Sequence, residues 1–117
     1  MLDYLDFDIS DDGEGITTFD AMAYATADRW PALLAEVTQV LRWCTTEFGY
    51  PGALDGGHQW DLDVQLQSDA GHVLAVRWDA SQRQLLASEA LHCAAVQLSM
   101  TISGDDDFRA ALEHAFF

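Results

Sequence analysis

The chain has no lysine and no asparagine, and its fixed cations are five arginines set against fifteen aspartates and five glutamates, for a formal net charge of -15. That balance argues against direct binding to nucleic acid or to an anionic membrane surface, because both need lysine and arginine to neutralise phosphate. A basic protein partner is permitted instead. Long apolar runs are also missing: no segment reaches the roughly 18 uninterrupted apolar residues of a membrane span. The opening Met1-Leu2-Asp3-Tyr4-Leu5-Asp6 is acidic where a secretory signal is basic. A cytoplasmic protein is expected.

Cysteine is scarce. Cys44 and Cys93 lie far apart without CxxC spacing, which predicts two buried thiols and no disulfide or zinc site. Proline is limited to Pro31 and Pro51, and there is no Pro/Gly/Ser-rich linker and no internal repeat. One domain over residues 1–117 is therefore expected. The absence of lysine and asparagine, whose codons are AT-rich, points to a high-GC bacterial genome. What is present is apolar content: 50% of residues, with four Trp, six Phe and three Tyr. That is too much for a disordered acidic tail.

Apolar spacing supplies the elements. Trp30, Leu34, Val37, Leu41, Cys44 and Phe48 recur at alternating steps of four and three, predicting a helix over about 29–48. Asp28 is the expected N-cap, and Gly49 with Pro51 the stop. Glu36, Gln39 and Thr46 are expected on its outer side. Trp60-Asp61-Leu62-Asp63-Val64-Gln65-Leu66-Gln67 alternates with period two and predicts a half-buried strand. The turn residues Ser68 to Gly71 then lead to a second strand, Val73 to Trp78, and Arg83 to Ala87 makes a third.

Val96 to Ser103 is the other clean alternation, with a start as early as His92. Gly104 ends it, and Asp105 to Asp107 suit a helix N-terminus, followed by Phe108, Leu112, Ala115 and Phe116 on one helical side. Near the start, Leu5, Phe7 and Ile9 alternate with Asp6, Asp8 and Ser10, and a turn at Asp11 to Gly15 leads into Thr17 to Ala25. The predicted order is ββαββββα. It is an α+β two-layer sandwich with a mostly antiparallel sheet of about five or six strands and both helices on one face.

The other face of that sheet is then expected to carry Asp6, Asp8, Asp61, Asp63, Gln65, Gln67, Gln97, Ser99 and Thr101. A solvated face that resists edge pairing accounts for such a pattern. So does a docking surface offering fixed acceptors to a partner's arginine and lysine.

Other chemistry has thinner support. Asp8-Ile9-Ser10-Asp11-Asp12-Gly13 matches the first half of a calcium loop, but the twelfth position is Phe19 where a bidentate glutamate is needed. His58, His72, His92 and His114 lack HxxxH or HExxH spacing, so no metal is expected. There is no GxSxG elbow, and Gly13-x-Gly15 and Gly56-Gly57 lack both the dinucleotide fingerprint and a phosphate-binding lysine. No cofactor is expected.

The long loop from Phe48 to Trp60 reads as a cap on the core edge or as a binding loop. Trp43 and Trp78 read as partial core or as interface anchors.

These observations predict a non-enzymatic interaction module, inhibitor-, immunity- or chaperone-like in size and charge alone, that binds a basic protein through Asp6, Asp8, Asp61 and Asp63. The alternatives are a small carboxylate- or metal-dependent enzyme, which needs the same acids to converge in a pocket, and a ligand-free structural homodimer.

Overall fold

In the computed structural model, which describes residues 2–117, the chain is α+β. The strands are β1 (Asp8–Asp11), β2 (Thr17–Thr26), β3 (Trp60–Ser68), β4 (Val73–Leu74), β5 (Arg77–Asp79), β6 (Gln84–Leu86) and β7 (Ala95–Gly104), and the helices are α1 (Trp30–Phe48) and α2 (Asp106–Phe116). Five strands form an antiparallel sheet in the order β1-β2-β7-β3-β4, while β5 and β6 pair separately. Among the described residues no helix is long and apolar enough to cross a membrane.

The period-two alternations decide which side of the sheet is dry. Phe19, Ala21, Ala23 and Ala25 of β2, Val96, Leu98, Met100 and Ile102 of β7, and Trp60 and Leu66 of β3 are buried. They meet Leu33, Val37, Val40, Leu41 and Cys44 of α1 and Phe108 and Leu112 of α2. Alanine at every inward position of β2 after Phe19 lets α1 approach that strand closely. At the end of the sheet the Phe108 ring stacks on Trp60 with centroids 5.7 Å apart. Phe117 stacks on Phe19 at 6.2 Å. The Phe108 contact depends on Gly104, whose missing side chain leaves room for that ring.

Several boundaries differ from the sequence reading, each for a local reason. Asp28 does not cap α1: its carboxylate accepts the Thr26 hydroxyl, and Arg29 takes the N-cap position without a side-chain bond. The Thr26 hydroxyl holds the Asp28 carboxyl below the ordinary carboxylate range. The strand expected over Val73 to Trp78 is broken in two. Val73–Leu74 pairs with β3, after which the chain leaves the sheet so that Trp78 can enter the core and donate Nε1–H to Thr45 Oγ1 at 3.1 Å. This gives five strands between the helices where four were expected, and it makes Trp78 a core residue and not an interface anchor.

Trp43 packs on Phe48 and Phe116. β7 starts at Ala95, since Ser88–His92 forms a 3-10 turn. The expected cap of α2 is present: Asp105 Oδ1 accepts Phe108 N–H at 2.9 Å, with Asp106 and Asp107 in the first turn.

Glu36 is the largest departure. It was expected on the wet side of α1 and is instead 8% exposed. Its Oε2 accepts N–H from Tyr4 at 2.8 Å and Leu5 at 2.6 Å, and its Oε1 accepts Asp3 N–H. Successive backbone amides turned onto one carboxylate form an anion nest. This contact draws residues 3–5 to α1 and lets β1 begin only at Asp8, although the alternation of Leu5, Phe7 and Ile9 would start the strand earlier.

Candidate functional site

Cross-strand register assembles the open face row by row. Asp8 pairs with Asp20, Asp20 with Thr101, and Thr101 with Asp63, so one row crosses β1, β2, β7 and β3. The neighbouring row is Ser10, Thr18, Ser103 and Asp61. On the other side lie Met22, Ser99 and Gln65, then Tyr24, Gln97, Gln67 and Val73. With strands about 4.8 Å apart, the outermost carboxylates of the acidic row sit about 14 Å from each other on a rigid platform.

Of the four aspartates singled out from the sequence, the structure brings three together. Asp8, Asp61 and Asp63 share the open face, with Asp61 and Asp63 two residues apart on β3. Asp6 does not join them. It lies before β1, beside a recess lined by Leu2, Leu5, His114, Phe116 and Phe117, because the Glu36 contact has already turned the chain out of the sheet. Its place is taken by Asp20. The signal for Asp20 was the period-two Ala21, Ala23, Ala25, which fixes the inward face of β2 and with it the outward set Asp20, Met22 and Tyr24. Met22 is 63% exposed and Tyr24 65%.

The electrostatics of this face are uncompensated. The two ion pairs among the described residues both belong to Arg109, which reaches Asp11 at 2.7 Å and Glu113 at 3.1 Å away from the acidic row. Within the face, Thr101 Oγ1 donates to Asp20 Oδ1 at 2.6 Å, Gln65 Nε2 donates to Asp63 Oδ2 at 3.4 Å, and Asp61 Oδ1 accepts Leu62 N–H at 2.8 Å. Asp8 and Asp20 oppose each other directly, an arrangement that destabilises a sheet when no cation lies between the two.

Other acids are occupied locally. Asp11 and Asp12 accept the N–H groups of Gly13, Glu14 and Ile16, so the half-match to a calcium loop is a hydrogen-bonded turn. Asp79 accepts from Ser81 and Gln82 at the β5–β6 turn, and these bonds, that of the Ser81 hydroxyl first, lower its carboxyl from the usual range. In the Phe48 to Trp60 segment, Trp60 is buried and donates to the Gly49 carbonyl, while Tyr50 stays exposed.

Chemically, the open face presents fixed carboxylate and amide acceptors beside three exposed side chains with apolar surface, Met22, Tyr24 and Val73. Its carboxylates stand in a row across strands, and the recesses along Pro31 to Arg42, at Leu2 to Phe117 and between Trp30 and Leu91 are lined by other residues. Such a face can accept guanidinium and ammonium groups over a broad area. The chain matches no protein-family model, no curated protein and no solved structure.

Proposed function

We propose that this protein is a non-enzymatic interaction module whose open sheet face docks a basic protein partner. The observation that carries the reading is the row Asp8, Asp20, Thr101, Asp63 across four adjacent strands, with Asp61 in the next row and, among the described residues, no cation in either row. Exposed charge pairs contribute about 0.2–1 kcal/mol each, so four of them supply up to about 4 kcal/mol and a strongly salt-dependent association rate. Met22 and Tyr24 add the amphipathic contact that interface centres favour. An acid/base enzyme using these residues would need two carboxylates converging on one small volume, whereas a row at strand spacing suits docking.

The test is affinity capture from native lysate with the unaltered chain and with a variant carrying Asp8→Asn, Asp20→Asn, Asp61→Asn and Asp63→Asn. The expected result is a basic protein retained by the first, released as salt rises, and not retained by the second. Equal capture by both chains, or elution indifferent to salt, would overturn the proposal.

A further inference from the structure

β2 is ten residues long, yet β1 pairs only with Thr17 to Asp20. Backbone polarity along β2 alternates between its two neighbours. Asp12 N–H donates to Ile16 C=O across the β1–β2 turn, so even-numbered residues face the β1 side. Ala27 N–H donates to Ala94 on the β7 side, which assigns the odd ones there. The N–H and C=O of Met22 and Tyr24 and the N–H of Thr26 therefore point to an edge where no strand of the described chain pairs. The Thr26 carbonyl alone is used, by Arg29 N–H.

Natural edges of this kind are blunted by lysine, proline, a bulge or an inward charge. Ala21 to Thr26 has none of these. The opposite edge of the sheet is partly closed: Asp61 Oδ1 accepts the Leu62 N–H and Gly52 N–H donates to the Trp60 carbonyl.

Resting on the docking role proposed above, we propose that the Met22–Thr26 edge of β2 is completed by an extended segment of the basic partner, hydrogen-bonded as an added strand. Asp8 and Asp20 lie at one end of the slot and exposed Asp28 at the other, so the fitting segment has arginine or lysine at both ends and apolar side chains against Met22 and Tyr24. A second copy of this chain fits poorly. Antiparallel pairing centred on Ala23 would set Asp20 of the copy opposite Thr26, where the copy's own Asp8 already pairs with that Asp20. Each copy also carries a formal charge of -15.

The probe is the short acetylated peptide Arg-Thr-Val-Thr-Val-Thr-Arg, which sets its end arginines and both valines on one face, compared with an analogue N-methylated at alternate backbone amides, which keeps charge and side chains but removes the donors of one edge. The expected result is binding of the parent peptide that weakens with salt, and about tenfold weaker binding of the analogue, equivalent to one or two lost hydrogen bonds. Amide exchange at Met22, Tyr24 and Thr26 should slow in the complex. Tyr24→Pro removes an edge donor without touching the β7 ladder, and it should weaken the parent peptide to the same extent while amide shifts along β7 show it folded. Equal affinity for both peptides, with binding still lost in the four-asparagine variant, would overturn strand addition and leave the acidic face standing. Absence of parent-peptide binding at low salt would overturn both.

Discussion

Glu36→Ala is expected to lower folding stability by about 3 kcal/mol, counting roughly 1 kcal/mol net for each backbone amide that loses its carboxylate partner. The amides are those of Asp3, Tyr4 and Leu5, and the acceptor is 8% exposed. Bonds to a charged acceptor are individually worth up to about 3 kcal/mol, but here they share one carboxylate, and amides freed with their segment regain water. Release of the segment would also expose the buried Leu5, costing about 1.5–3 kcal/mol more. Recovered backbone freedom of about 1–2 kcal/mol per residue offsets that cost. Glu36→Gln keeps one acceptor oxygen but turns an NH₂ toward the amides, so its loss should be smaller and still measurable. Urea unfolding at constant m-value reads the stability, and amide exchange at Asp3, Tyr4 and Leu5 reads the contact itself. An alanine variant within about 0.5 kcal/mol of the unaltered chain, with those three amides still protected, would refute the assignment of Glu36 as the anchor of this segment.

Four further outcomes are expected. Added salt or Mg²⁺ should raise the melting temperature by a few degrees, because twenty acids repel one another against five arginines; an unchanged melting point between low and moderate salt would count against this. Asp8→Asn should stabilise the fold by about 0.2–1 kcal/mol, the scale of a cross-strand pair, since like charges directly opposite on paired strands repel; the check is a rise in urea midpoint together with weaker capture of the basic partner. Gly104→Ala should destabilise by about 2 kcal/mol or more, since a Cβ there would stand 2.2 Å from Cδ2 of the buried Phe108; thermal unfolding decides. Burial pushes the Cys44 thiol well above its ordinary range, so a thiol reagent should label Cys93 in the native protein and reach Cys44 only on unfolding.

The fold was legible wherever one period ran without competition. Trp60 to Gln67 and Val96 to Ser103 have a single reading, and they became the long strands β3 and β7 that form the middle of the sheet. α1 was equally clear from its apolar stripe. The failures share a cause, which is that a specific side-chain contact outbid the local pattern. Asp28 is a good cap in isolation but found Thr26 first. Val73 to Trp78 alternates well enough for one strand, yet the pull of Trp78 toward Thr45 breaks it. Leu5 to Ile9 reads as strand, and a buried glutamate 31 residues beyond Leu5 turns its first part aside. Glu36 could not be assigned from spacing, because a helix pattern cannot anticipate a carboxylate buried by amides of a segment outside the helix. On the face, Asp61 and Asp63 were readable, whereas Asp20 needed the alanines of β2 to be taken as core.

The same buried carboxylate connects the two functional proposals. In the register that pairs Asp8 with Asp20, continuing β1 would place Asp6 opposite Met22 and Tyr4 opposite Tyr24. The side chains suit that continuation, with Leu5 and Phe7 inward and Asp6 beside Asp8. The chain instead leaves the sheet at Asp8, so the repulsive pair Asp8/Asp20 and the unpaired backbone of Met22 meet at one corner of the open face. The first feature lowers the stability of the isolated fold by placing like charges together, and the second leaves a smooth edge open to another strand without the usual guards. Local rules broken together at one place are characteristic of sites shaped by something other than stability. A strand bearing a cation at that corner would relieve both at once, by neutralising the pair and completing the hydrogen bonds beside it.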